Sequence, residues 1–512
     1  MKQVILFNLF TGLFSSGLII FGYTLLKNSR LSKTLLISKF SSYLNVLLAI
    51  GAFTLYFYHP GTESTWLVVE NLGIEFCLDA LNSILLVMVS FIGLVVSRFS
   101  RSYLEGDPNH KRFIGLLAGV ISSVQLLLLS ANLLTFFIAW VATSWFLQKL
   151  LTIYGEREKA KLAARKEFIL ARIGDLALLL AFSVLYFTLK TGNISKILEL
   201  IETKSVMSSG EIVFAGCCLV LTAVLKAAQF PLHGWLIEVM EAPTPVSAIL
   251  HAGLINAGPF LILRFVPIIN YSFAATLLLF TIAFISSIYA ALVFAHQPSI
   301  KNSLGYSSVA HLGFTLLLCS LGLYSAALLH LVAHSFFKAY QFLSSGSEID
   351  RNRVVIPMKP RANLVQNMVK MMSVLVISCL LFLFAQYSYG DTAGLKYIFF
   401  FFLFAITAYA LRLTPFVNRW SVYLGTISFI IITMMSFYFF EKWFGQVMNA
   451  GAHSNHIQDL LLIIAVFTLS LFILLRIFIL HRVKLSHNLI VHLRNGFYVN
   501  TLINRLFGAY SK

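Results

Sequence analysis

The chain has 512 residues, of which 59% are hydrophobic and only 11% charged, with 47 Phe and a formal net charge of +18. Soluble domains carry about 25% charged residues, so this composition excludes a soluble domain of useful size. Apolar runs of about 20 residues recur from end to end, each long enough to cross the hydrocarbon core of a bilayer. Isolated spans must satisfy their own backbone, so the expected fold is all-α and polytopic.

In chain order, spans are predicted near residues 4–26, 35–58, 77–97, 113–130, 132–153, 167–189, 211–230, 245–267, 272–295, 300–322, 324–345, 367–387, 395–415, 420–440 and 457–480. That is about 14–15 transmembrane helices. The first lacks an early cleavage motif and runs into the second, so it reads as a retained helix rather than a signal peptide. Between the second and third, Trp66 to Phe76 alternates loosely and predicts a short outer hairpin. With the N-terminus outside, the alternate connections that face the cytoplasm hold most of the 38 Lys and Arg, while Glu63, Glu70 and Glu75 face outward. The positive-inside rule then predicts N-out and C-in, in a cell (inner) membrane. The basic charge is topology and attraction to anionic lipid, not a nucleic-acid surface.

Five parts are expected: N-terminal helices and hairpin over 1–112, an ion-translocating core over 113–346, a cytoplasmic connector over 347–366, C-terminal helices over 367–480, and an interfacial amphipathic helix over 481–512. The five cysteines lie in or beside apolar spans without a CxxC pair, and read as small core residues rather than a metal site or a disulfide frame.

The densest chemistry lies in Lys226 to Gly258, KAAQFPLHGWLIEVMEAPTPVSAILHAGLINAG. A lysine and a broken helix both cost free energy in lipid unless they line a polar path. Pro231 removes a backbone donor one turn after Lys226 and frees a carbonyl near it. A lysine in a desolvated site can lose and regain a proton near neutral pH, which suits a switch. Snorkelling to the interface is the competing role for an isolated lysine, but Pro231, His233, Glu241 and His251 stand close by. Glu241 either pairs with a basic residue to pin the Pro-Thr-Pro turn or caps a helix end. His251 is either a relay group or a hydrogen-bonded core histidine, and Asn256 and Gly258 extend the polar face.

His330, His334 and Lys338 recur every four residues in LHLVAHSFFKAYQFLSSG, one stripe of one helix. HLVAH could chelate zinc at i and i+4, but it lacks the glutamate of HExxH and a third ligand, so a proton wire is the favoured role. His311 sits at mid-span of the preceding helix and can join that wire. Lys301 lies at its helix start, where snorkelling competes. Arg172 and Asp175, three apart in ARIGDLALLL, predict an intrahelical ion pair that tunes nearby protonation. No GxGxxG, Walker loop or nucleophile motif appears in context, so no cofactor or catalytic centre is expected in this chain.

KAAQFPLHGWLIEVMEAPTPVSAILHAG resembles the signature of the proton-translocating membrane subunits of NADH–quinone oxidoreductases and the large Mrp antiporter subunits. ARIGDL, SIKNSLGYSSVAHLGF and LLHLVAHSFFKAYQFLSSGS are similar to their other core segments. The resemblance implies an antiporter-like fold with a discontinuous helix and a hydrophilic axis through Lys226, His251, Lys301, His330, His334 and Lys338. Two departures stand out. The respiratory subunits place a glutamate after the tryptophan of the fifth span, paired with the lysine that Lys226 matches, whereas FFIAWVATSW has Val141 there. They also carry a later broken helix with a lysine, whereas NMVKMMSVLVISCLLFLF has Lys370 only near its end.

AWVATSW, GWLIEVMEAPTPVSAILHAG and KAYQFLSSGS are most similar to the DabB family, the membrane subunits of two-part DabA–DabB inorganic carbon transporters. That resemblance implies a DabA-like cytoplasmic partner holding zinc, where carbon dioxide is hydrated to bicarbonate. This chain would supply cation entry, with protons favoured over sodium by the Lys and His chemistry. The competing readings are a pumping or antiport subunit of a respiratory or Mrp assembly, and a scaffold that anchors a soluble enzyme.

Overall fold

A computed structural model describes residues 2–26, 30–69, 71–154, 158–203, 210–347, 364–388, 393–413, 420–447, 456–475 and 486–506. The predicted connector falls mostly outside the described residues, as do Glu70 and the side chain of Glu241. Among the described residues the fold is all-α apart from one hairpin. Helices α1 (Lys2–Leu25) and α2 (Leu31–Tyr58) precede strands β1 (Thr62–Val69) and β2 (Leu72–Leu78). The helices α3 (Ala80–Tyr103), α4 (His110–Leu129), α5 (Leu133–Leu151), α6 (Glu158–Leu189), α7 (Ile194–Glu202) and α8 (Gly210–Lys226) follow. Then come α9 (Gly234–Glu238), α10 (Thr244–Ala252), α11 (Ala257–Arg264), α12 (Val266–Tyr271), α13 (Phe273–Phe294), α14 (Ile300–Ser320) and α15 (Tyr324–Ser344). The remaining helices are α16 (Leu364–Ser388), α17 (Ala393–Leu413), α18 (Trp420–Val447), α19 (His456–Leu474), α20 (His487–Arg494) and α21 (Val499–Leu506).

Every predicted span contains a helix. Among the described residues, nine helical segments, the interrupted Thr244–Arg264 among them, are long and apolar enough to cross a membrane by length and composition. Helices α14 and α15 are also 21 residues each. They fall outside that group because serine, histidine and lysine dilute their apolar content, the pattern of spans that line a polar path.

The chain divides into two compact units. The first comprises Met1–Leu316, His330–Gly346 and Leu493–Lys512. Four of its helices start on side-chain caps: Asp79 accepts from Asn82 N at α3, Asn132 from Leu134 N at α5, Asn193 from Lys196 N at α7, and Ser272 from Ala275 N at α13. The hairpin turns at Asn71, whose φ of 67° is left-handed, and it packs on this unit through a buried carboxylate. Glu75 Oε2 accepts from Asn132 Nδ2 at 2.9 Å and Asn193 Nδ2 at 3.3 Å, and Thr135 Oγ1 donates to Gly73 O at 2.6 Å. At the hairpin's end, Arg264 pairs with Asp79 and donates from Nη2 to Cys77 Sγ at 2.9 Å. Burial pushes the Cys77 thiol up to about 12, against the opposing pull of the Arg264 guanidinium.

The second unit comprises Leu317–Leu329 and Ser347–His492. Its core is aliphatic and aromatic, with Val374, Leu381, Phe399, Leu403, Tyr423, Ile430 and Met434 buried together. Two of its polar contacts are local: Ser378 meets Thr407 at 2.6 Å, and Ser325 Oγ donates to Glu441 Oε1 at 2.7 Å. Lys370 lies over the Tyr423 ring, 5.8 Å from its centroid.

Two elements differ from the sequence expectation. The span over 245–267 is not one helix. It breaks into α10, a 3₁₀ turn Leu254–Asn256 and α11. Gly258 allows α11 to press against α8, where a Cβ would lie 2.5 Å from Ala223 O. The C-terminal tail carries helices, but its asparagines turn inward. Asn500 Nδ2 and Asn504 Nδ2 donate to Glu238 Oε1 at 2.8 and 3.0 Å.

Candidate ion-translocation site

Lys226 is the last residue of α8. The chain leaves the helix there because Ala228 takes a left-handed φ of 50° and Pro231 follows. Two of the three N–H donors of the ammonium are taken by α5: Nζ donates to Ser144 Oγ at 2.7 Å and to Thr143 Oγ1 at 3.0 Å. The ammonium also stands over the Trp140 ring, 5.1 Å from its centroid, a cation–π contact. Lys226 lines a cavity with Trp140, Ser144, Glu167, Gly174, Thr222, Trp235 and Leu254. Glu167, from α6, is 4% exposed, and its Oε2 has no hydrogen-bond partner. Sequence reading missed this residue, which stands at the first position of the predicted sixth span.

Arg172 Nη2 and Asp175 Oδ2 form an ion pair at 2.7 Å two turns further along α6, with Asp175 buried and Arg172 partly exposed. Lys166, next to Glu167, points to a different cluster: it pairs with Glu238 and hydrogen-bonds Asn504. Consecutive helical residues lie about 100° apart around the axis, so one turn of α6 serves both the cavity and the docked tail.

Beyond the break, the chain continues toward the histidines. Phe230 N donates to Ser286 Oγ at 3.0 Å. Gln229 is fully buried, and a Cβ on Gly313 would lie 2.9 Å from its Oε1. That contact is two residues along α14 from His311. His311 Nδ1 lies 3.3 Å from His330 Nε2, and its ring centroid is 5.1 Å from that of His334. The rings of His330 and His334 are 6.1 Å apart. Both ring nitrogens of His334 are buried without a partner, an arrangement that leaves them open to exchange protons. One turn on, Lys338 is fully buried and donates to Leu304 O at 2.9 Å. His251, from α10, is fully buried, meets Ser308 Oγ through Nδ1 at 2.9 Å and stacks on Phe342 at 4.4 Å. Asn256 Nδ2 donates to Ser335 Oγ at 2.7 Å, tying the α10–α11 break to α15.

The first unit thus brings Lys226, His251, His311, His330, His334 and Lys338 into its interior. Lys301 is not gathered there. It is half-buried in the first turn of α14, with no hydrogen bond or ion pair among the described residues. His233 is buried against Phe230, Tyr289 and Tyr306, with Tyr289 Oη 3.3 Å from its Nε2. Among the described residues, no group of three His, Cys, Asp or Glu is placed to hold a metal ion. Buried titratable groups at these spacings can pass protons by successive hydrogen-bond exchange, provided the intervening hydroxyls and amides reorient.

The family profile described as NADH:quinone oxidoreductase/Mrp antiporter, TM, matches residues 130–412. The profile for the N-terminus of chain 5 of NADH-ubiquinone oxidoreductase (complex I) matches residues 66–114. The chain is 38% identical over 302 residues to a probable inorganic carbon transporter subunit DabB of Hydrogenovibrio crunogenus, covering 59% of this chain and 58% of that protein. It is 40% identical over 290 residues to a probable inorganic carbon transporter subunit DabB2 of Halothiobacillus neapolitanus, covering 57% and 52%. The chain therefore spans little more than half the length of these relatives. The solved Mrp complex from Dietzia sp. shares the fold, with a TM-score of 0.62 at 19% identity over 100% of this chain and 60% of that one. The profile match covers more than half of the residues and contains Lys226, His251, His311, His330, His334 and Lys338, so the chain belongs to the NADH:quinone oxidoreductase/Mrp antiporter membrane family.

Proposed function

We propose that this chain is the cation-translocating subunit of an energy-coupled inorganic carbon uptake complex in the cell inner membrane, and that the cation is the proton. Lys226 is the central switch, and His251, His311, His330, His334 and Lys338 relay protons away from it. Lys301 serves as an entry group at the start of α14. Pro231 and Glu241 shape the break beside Lys226, and the Arg172–Asp175 pair sets the field along α6. Hydration of carbon dioxide to bicarbonate falls to a DabA-like cytoplasmic subunit that holds zinc, with this chain oriented N-out and C-in.

The observation that carries the reading is the run of buried titratable side chains through the first unit, from Lys226 by way of Gln229 and His311 to His334 and Lys338. Burying so many ionisable groups opposes folding, and such residues inside a membrane ordinarily mark an ion or proton path. The names of the relatives support inorganic carbon as the coupled process. The test is bicarbonate accumulation in cells that depend on this complex. Lys226→Ala abolishes accumulation while the partner still co-purifies, and an uncoupler abolishes it in the wild type. Full accumulation in Lys226→Ala defeats the assignment. A pumping or antiport subunit of a respiratory or Mrp assembly is the second reading, favoured by the Mrp-like fold. It requires several homologous membrane subunits to co-purify, or sodium–proton exchange in vesicles.

A further inference from the structure

Lys226 has three N–H donors, as every ammonium does. Two are used by Ser144 and Thr143 on α5. The third has no acceptor among the described residues. Across the same cavity stands Glu167, whose buried Oε2 has no donor. One unused donor and one unused acceptor of opposite charge thus line one cavity. α5 offers no carboxylate here, because Val141 stands beside Trp140.

The alternative partners for each group are committed elsewhere. Lys166, adjacent in sequence to Glu167, is held by Glu238 and Asn504. Asp175, beside the cavity-lining Gly174, is paired with Arg172 at 2.7 Å. Of the two α6 carboxylates near Lys226, Glu167 alone has no cation of its own. We propose that Glu167 is the counter-charge and proton-exchange partner of Lys226, supplied by α6 in place of a carboxylate on α5. This inference rests on the reading of Lys226 as the central switch.

The exchange balances. An N–H bond of the Lys226 ammonium breaks, an O–H bond forms on the Glu167 carboxylate, and the pair becomes a neutral amine and a neutral acid. Its net charge is zero before and after. In a medium of low dielectric this matters, because moving the proton to a neutral group would leave two separated, poorly solvated charges. Return of a proton to the amine and release of the one on Glu167 reset the pair. Glu167 is thus a positioning residue for charge on Lys226 as well as a proton carrier.

The experiment uses the intact complex in vesicles, with proton entry followed by an entrapped pH indicator under an imposed membrane potential. Glu167→Gln keeps the shape and loses the charge, and it is expected to lower the flux about tenfold or more at unchanged abundance. Glu167→Asp keeps the charge and is expected to retain most of the flux. Wild-type flux in Glu167→Gln, or equal loss in the Gln and Asp variants, overturns the proposal. If Glu167→Gln does not accumulate in the membrane, Glu167→Gln/Lys226→Met removes both charges. Restored accumulation then supports the pairing, and continued absence overturns it. Lys226→Ala run in parallel separates the two ideas. If it loses flux while Glu167→Gln does not, only the Glu167 assignment falls. If it also keeps wild-type flux, the reading of the switch falls.

Discussion

Replacing Glu238 by alanine tests how the C-terminal tail is held. Its carboxylate pairs with Lys166 and accepts from Asn500 and Asn504. Lys166 is 2% exposed and Glu238 18% exposed. Breaking a buried ion pair by removing one partner costs about 3–5 kcal/mol, and the partial exposure of Glu238 places this one near 3 kcal/mol. Each asparagine hydrogen bond adds about 1 kcal/mol, so Glu238→Ala is expected to cost about 5 kcal/mol. The double variant Lys166→Met/Glu238→Leu removes both charges and loses little beyond the asparagine bonds, about 2 kcal/mol. The difference, about 3 kcal/mol, is the cost of leaving the Lys166 charge buried without its carboxylate. The assay is retention of monodisperse protein after heating in detergent, paired with protease cleavage at the turn Gly496–Tyr498. Glu238→Ala should aggregate at the lowest temperature and be cut fastest, with the double variant between it and the wild type. A double variant less stable than Glu238→Ala, or unchanged cleavage in both, refutes the reasoning.

Three other expectations follow from local geometry. Gly258→Ala places a Cβ 2.5 Å from Ala223 O and 2.9 Å from Ala227 Cβ. It should destabilise the α8–α11 contact by about 1–3 kcal/mol, read as lower membrane abundance, whereas Gly22→Ala, with nothing within 4 Å, should be neutral. Gly234→Ala directs a Cβ at Asn500 Oδ1. The asparagine must swing away from Glu238, which should raise tail cleavage without abolishing assembly. The Cys77 thiol is pushed up to about 12 by burial, so a variant keeping only Cys77 should resist maleimide at pH 8 and label only as the pH rises toward that value. Rapid labelling at pH 8 would show that the hairpin end is open.

Much of the fold was legible because lipid imposes a single length on every apolar run. The predicted spans and the Trp66–Phe76 hairpin therefore coincide with helices and with β1–β2. The break over 245–267 was not legible. Its apolar content is continuous, and Gly253, Asn256 and Gly258 signal it only once α8 is known to press on Gly258. The stripe His330, His334 and Lys338 followed from helical spacing, but the approach of His311 and His251 to it depends on packing between helices. Glu167 was hidden by its position at a span edge, where a glutamate ordinarily faces headgroups. The Arg264–Asp79 pair joins residues 185 apart, beyond any local pattern. The tail read as an interfacial helix because its basic and apolar residues fit one. Nothing in its sequence named Glu238 as the acceptor for Asn500 and Asn504.

The central claim is that protons cross this chain by way of side chains buried in its first unit. The most direct measurement is proton entry into vesicles under an imposed inward-negative potential, comparing the wild-type complex with Lys226→Ala and Lys338→Met. The account predicts steady acidification in the wild type and its loss in both variants at equal protein content. Equal acidification in all three, blocked only by removing the protein, would place the path elsewhere and contradict it.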